Sequence, residues 1–191
     1  MIKIGIIRHG STSWNKEGRA QGSSDIPLDE DGLTAAYRLA ERLSHENWNV
    51  IYSSPLLRAK QTAEAIEEKI GTGNIIYDAR LCEVAGGKIE GTTEKERIQK
   101  WGKDWRTLDL GIEEVEHVIA RGLSFIDEII KKHHHESILI VSHGAFLKLL
   151  LTKILREANM ETNLKNTSLT TIVYENNNWS CERYNCTSHL N

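Results

Sequence analysis

Apolar runs short enough for strands alternate along this chain with longer stretches whose apolar positions recur every three to four residues. Residues 2–7 are apolar without strict alternation, the pattern of a strand covered on both faces. Residues 29–44 read as a helix, with Leu33, Ala36, Tyr37, Ala40 and Leu43 on one stripe. Residues 50–52 form a short strand. Ser54-Pro55 then offers a hydroxyl N-cap and a proline at the first helical position. That helix runs to about residue 70, where Gly71-Thr72-Gly73 stops it. Residues 75–77 make a third strand, and 78–92 a loop holding Gly86, Gly87 and Gly91. Residues 93–108 are a helical segment carrying Trp101 and Trp105. The clearest helix spans 113–131, with Val115, Val118, Ile119, Leu123, Ile126 and Ile130 at helical spacing. Residues 138–141 are another buried strand and 145–155 another helix. Residues 169–174 and 179–184 pair around Asn176-Asn177-Asn178 as a hairpin at a sheet edge.

Strands alternating with helices, without a linker, repeat or low-complexity tract, predict one α/β domain over residues 1–191. Its expected architecture is a three-layer sandwich, a mainly parallel central sheet flanked by helices. Hydrophobic residues are 39% and charged residues 27% of the chain, an ordinary globular balance. The net charge of −3 disfavours non-specific nucleic-acid binding, which needs a basic stripe. It leaves room for a small cationic pocket. Cys82, Cys181 and Cys186 match no zinc spacing and read as reduced thiols. The apolar run at 2–7 is too short for a signal-peptide core, and nothing reaches the length of a membrane span. A soluble, cytoplasmic protein is expected, with its oligomeric state open.

Chemistry collects at three strand-to-helix junctions. The first strand ends in Arg8-His9-Gly10, the second in Ser53-Ser54-Pro55 ahead of Arg58, and the strand at 138–141 in Ser142-His143-Gly144. In an α/β sheet ligands bind outside the carboxyl ends of strands. Two arginines and two histidines can therefore converge, with helix N-termini adding N–H donors. Such a site suits a phosphate dianion. Gly10 and Gly144 permit sharp turns and a close backbone approach to the phosphate. Transfer also needs a proton for the leaving oxygen. Glu83, opening the glycine-bearing loop, is the best-placed carboxylate, with Asp78 and Glu90 as local rivals. His133-His134-His135 reads as a solvated turn, Trp101 and Trp105 as core, and Lys131-Lys132 as a helix end.

The run Arg8-His9-Gly10-Ser11-Thr12-Ser13-Trp14-Asn15 resembles the opening signature of the histidine phosphatase superfamily, the phosphoglycerate-mutase-like proteins. The resemblance continues in family order through Gln21-Gly22, Asp25, Pro27-Leu28 and Gly32. It then takes in Ser53-Ser54-Pro55, Arg58 and Gln61-Thr62-Ala63, and Leu81-Cys82-Glu83 with Gly87 and Glu90-Gly91. Val141-Ser142-His143-Gly144 and His189-Leu190 complete it. It implies a phosphohistidine formed on His9. Arg8, Arg58 and His143 would hold the phosphoryl oxygens, with Asn15 adding a hydrogen bond. Thr12 and Gly144 belong to the same expected binding set, and Gln21-Gly22 to the substrate rim. Glu83 would protonate the leaving alcohol and later activate water, giving a bell-shaped pH profile. No metal or organic cofactor is implied, and the substrate would be a small phosphomonoester.

The chain departs from that pattern at Val84-Ala85-Gly86-Gly87-Lys88-Ile89, without the aromatic and tryptophan common there, and at Gly111-Ile112-Glu113. These changes touch the substrate-side wall, where Lys88, Trp14 and the segment 101–105 are possible entrance residues. Mutases shield the phosphohistidine with extra chain, whereas the segment between Glu83 and Glu113 is short. Hydrolysis is therefore expected. The alternatives are a primer-dependent phosphoglycerate mutase and a non-catalytic phospholigand-binding module.

Overall fold

In the computed structural model, residues 1–155 and 163–191 are described. Six strands form one sheet in the order β3-β2-β4-β1-β5-β6. They are β1 (Ile2–Arg8), β2 (Val50–Ser53), β3 (Ile75–Tyr77), β4 (Ser137–Ser142), β5 (Leu169–Glu175) and β6 (Asn178–Cys186). The first four in that order run parallel, and β5 and β6 are antiparallel additions. The helices are α1 (Ser13–Glu17), α2 (Glu30–Leu43), α3 (Leu57–Ile70), α4 (Glu94–Trp101), α5 (Val115–Lys132) and α6 (Gly144–Leu155).

The pleat of the strands sorts their side chains into two cores, because successive residues point to opposite faces. Ile4, Ile6, Ile138 and Ile140 join Phe125 and Ile126 of α5 and Phe146 and Leu150 of α6. Ile7, Ile51, Leu139 and Val141 join Leu39 and Leu43 of α2 and Ala59 and Ala63 of α3. Covered on both faces, these strands have no polar side to alternate with, which explains their unbroken apolar runs. The predicted three layers and mainly parallel sheet are present.

Several boundaries and faces differ from expectation. In α2 the buried stripe is Gly32, Ala36, Leu39, Ala40 and Leu43, while Leu33 and Tyr37 are exposed. In α5, Val115 is exposed, and Gly122, Phe125 and Ile129 carry the packing. Helix α3 begins after Leu56, and Pro55-Leu56 precede it as a bend. His133 is not part of a solvated turn. It is buried, with Nε2 2.8 Å from the Tyr52 hydroxyl and Nδ1 2.7 Å from Glu136. His134 and His135 are exposed. Trp105 lies in a small core with Ile89 and Leu110, and Trp101 packs against it. The β5–β6 hairpin turns through Asn176 and Asn177, both at positive φ, a region that asparagine tolerates. No helix among the described residues is long and apolar enough to cross a membrane, and Cys82, Cys181 and Cys186 are thiols outside any disulfide among those residues.

Candidate active site

Parallel register sets the site. Pairing of Arg8 with Ser142 and of Ser53 with Val141 brings the ends of β1, β2 and β4 abreast. The His9 N–H donates to the Ser142 carbonyl at 2.9 Å, and the Ser54 N–H to Val141 at 3.0 Å. His9 and His143, which follow β1 and β4, thereby face each other with ring centroids 5.1 Å apart.

The His9 tautomer follows from its neighbour. Nδ1 lies 2.6 Å from the Gly10 carbonyl, which can only accept, so Nδ1 carries the proton and Nε2 keeps its lone pair. Burial, then the Arg58 and Arg8 charges, hold the His9 pKa well below the usual histidine value. His143 is likewise depressed by burial and by His9, Arg58 and Arg8. Its Nε2 stands 2.7 Å from the Ser54 hydroxyl. Both rings are neutral near pH 7.

The two arginines are held by carbonyl groups from separate loops. Arg8 donates through Nη1 to Leu164 O at 2.5 Å. Arg58, fully buried, donates to Ser24 O at 2.7 Å and Gly22 O at 2.8 Å. Burial lowers both pKa values while Glu83 opposes the shift, and both remain cations because guanidinium does not deprotonate in proteins. Among the described residues, Arg8 Nε, Arg58 Nε and His143 Nδ1 are buried without a hydrogen-bond partner. A buried donor left unmade costs about 1–3 kcal/mol. Two such guanidinium donors, with the His143 ring beside them, fit an anion with several acceptor oxygens.

Glu83 arrives after β3 and the 3₁₀ turn Ala79–Leu81. Its carboxylate accepts the Phe146 N–H at 2.8 Å, the Ala145 N–H at 3.2 Å and the Val84 N–H at 3.0 Å. It thus sits at the N-terminus of α6, held by backbone N–H groups. The rivals are engaged elsewhere. Asp78 pairs with Arg80 at 2.6 Å. Glu90 accepts from Ser23 N, Ser24 Oγ and Gly86 N. Arg8, Glu83, Gly144, Lys148 and Leu164 line a cavity of about 440 Å³. His9, Arg58 and His143 do not themselves line it, nor do Trp14, Lys88, Trp101 and Trp105.

The remaining expected residues are tied into the loops around His9. Thr12 caps α1 and donates to Gln21 Oε1 at 3.1 Å. Asn15 Oδ1 accepts from the Thr12 N–H at 3.2 Å and from Asn166 at 3.3 Å, which sets the plane of its amide. Gln21 is buried beside Thr12, so its carbonyl end faces the protein. Gly22 has φ +52°, and a Cβ there would stand 2.1 Å from Glu90 Oε1. The glycines flanking the histidines serve packing. A Cβ on Gly10 would meet Gly32 O at 2.6 Å, and one on Gly144 would meet Arg8 Nε at 3.2 Å.

Sequence reasoning missed four participants. Ser54 was given no role beyond a helix cap in the block around Arg58, yet it contacts His143. Asn166 donates to the carbonyls of His9 and Gly10 at 3.0 and 3.1 Å. Arg121 and Glu113 brace the Glu83 segment. An arginine one residue before the buried Gly122 was a visible signal. Asn166 gave none, because its role depends on β5 pairing with β1.

The model of the histidine phosphatase superfamily (branch 1) matches residues 4–187. The chain is similar to the uncharacterized phosphatase PhoE of Bacillus subtilis, 31% identical over the whole chain and 97% of that protein. It is 32% identical to a metal-independent phosphoserine phosphatase of Arabidopsis thaliana, covering all of this chain and 84% of that one. The solved structure of Bacillus stearothermophilus YhfR superposes with a TM-score of 0.89 at 31% identity, covering both chains fully. A nucleophile-ready imidazole among paired cations and a match spanning nearly every element lead to one conclusion: the chain belongs to the histidine phosphatase superfamily, branch 1.

Proposed function

We propose that this protein hydrolyses small phosphomonoesters through a phosphohistidine formed on His9 Nε2. The observation that carries this reading is a neutral His9 under the charges of Arg8 and Arg58, whose buried Nε donors lack partners, with the His143 ring 5.1 Å away. Fixed positive charge is what a loose phosphoryl transition state requires. Nε2 attacks phosphorus as the ester P–O bond breaks, and the Glu83 carboxyl passes its proton to the leaving oxygen. Water then attacks the phosphohistidine, Glu83 takes its proton, and inorganic phosphate departs. Arg8, Arg58 and His143 bind the oxygens, with the Asn15 amide adding a donor. The loop of Gln21 and Gly22 shapes the rim, and Thr12 and Gly144 support Gln21 and Arg8. The name of the phosphoserine phosphatase relative directs the substrate search to small phosphorylated acids.

The test is phosphate release from phosphoserine, 3-phosphoglycerate and p-nitrophenyl phosphate in excess EDTA, without bisphosphoglycerate. The wild type should turn over and form an acid-labile phosphoenzyme. His9→Ala should lose at least about 10³-fold in rate, along with the label. Turnover that appears only when bisphosphoglycerate is added would replace this reading with a mutase. Tight phosphate binding without turnover would replace it with a binding module.

A further inference from the structure

The Glu83 segment is held by a side chain far along the chain. Arg121 of α5 donates through Nη1 to the carbonyls of Arg80 at 2.7 Å and Cys82 at 2.8 Å. Its Nη2 donates to Glu83 O at 3.2 Å and Glu113 Oε2 at 3.0 Å, and its Nε to Glu113 Oε1 at 2.9 Å. Glu113 also accepts the Ala85 N–H at 3.1 Å and donates its own N–H to Ala85 O at 2.9 Å. From β4, Ser142 Oγ donates to Leu81 O at 2.7 Å. The guanidinium further lies 4.7 Å from the centre of the Phe146 ring, and the Phe146 N–H binds the Glu83 carboxylate. One side chain therefore touches both the backbone that carries Glu83 and the residue that grips its carboxylate.

We propose that Arg121, paired with Glu113, is the positioning residue for the acid–base step. It sets where the Glu83 carboxyl stands relative to the leaving oxygen. This rests on the hydrolase reading above and adds to it a residue outside the phosphate pocket. A purely structural brace would require only that the loop be ordered. A positioning role requires more: losing Arg121 must hurt in proportion to how badly the leaving group needs a proton.

The experiment compares kcat/KM for p-nitrophenyl phosphate, whose leaving group departs without protonation, and for alkyl phosphates such as phosphoserine, whose leaving group cannot. That quotient reports steps through release of the alcohol, so the later hydrolysis of phosphohistidine does not blur it. Arg121→Met should lower the alkyl value about 10²-fold and the p-nitrophenyl value less than about 5-fold, with an unchanged fold by circular dichroism. Glu113→Gln, which keeps an acceptor for Ala85, should show the same selectivity at about 3–10-fold, and it decides the matter if Arg121→Met does not fold. Equal losses on both substrates, or none, overturn the inference while leaving a His9-dependent phosphatase intact. A wild type inactive on every ester overturns the hydrolase reading and this inference together.

Discussion

At Gly144 one added methyl group would stand 3.2 Å from Arg8 Nε, tighter than ordinary packing allows. The Arg8 guanidinium cannot simply swing away, because Leu164 O anchors its Nη1. Gly144→Ala should therefore displace the cation proposed to bind the phosphoryl oxygens while sparing the core. Inhibition by vanadate should weaken about 3–10-fold, with stability changed by less than about 1 kcal/mol. Titration with vanadate and a urea melt check both halves. An unchanged vanadate affinity would mean that Arg8 Nε does not serve the anion. The same residue-by-residue logic separates Glu83 from Asp78 and Glu90. Glu83 is the best placed of the three in the sequence, and their hydrogen-bond partners now separate them.

At the scale of elements, the loops matter more than the helices they join. Glu90 ties the loop of Ser23 and Ser24 to Gly86. The same loop supplies Gly22 O and Ser24 O, which hold Arg58. These donors keep the Glu90 pKa below its usual value against the opposing effect of burial, which is the largest single influence. Glu90→Gln can keep a neutral oxygen for the Ser23 and Gly86 N–H groups but would turn its amide toward the Ser24 hydroxyl. It should lower stability by about 1–3 kcal/mol, since hydrogen bonds to a charged group are lost. It should also weaken phosphate binding several-fold as Arg58 loses its anchor. Thermal melts with and without phosphate measure both. A stability loss with undiminished phosphate protection would show that Arg58 stands without the loop.

At the scale of the whole molecule, His9 and His143 are held neutral in the interior, and the His189 pKa is also depressed, to about 4. His9 and His143 titrate well below the usual value when folded and near 6.5 when unfolded. Above pH 6.5 neither state binds a proton at these sites. As pH falls below 6.5 the unfolded chain takes up protons that the folded chain refuses, so stability falls by up to about 1.4 kcal/mol per unit for each. Depressed carboxylates such as Asp29 and Glu113 act in a lower window, where unfolded carboxylates begin to protonate. Urea unfolding at pH 7.5 and 5.5 should show the drop. His143→Gln should reduce it, and an equal drop in that variant would assign it to other groups.

Much of this protein was determined by local pattern. Apolar strands flanked by helical periodicity dictate an α/β sandwich because both sheet faces must be covered. Imidazole and guanidinium groups placed just after strands 1 and 4, and after strand 2, must emerge at one edge of a parallel sheet. The buried face of a helix was less legible. Leu33 and Tyr37 satisfied the spacing in α2, yet Gly32 faces inward because its backbone packs on Ser11. The order of the strands, the tautomer of His9, the 5.1 Å approach of the two rings and the Arg121 brace were decided only by tertiary structure. Each depends on groups distant in sequence, brought together by sheet register and helix packing, and periodicity carries no information about such pairings.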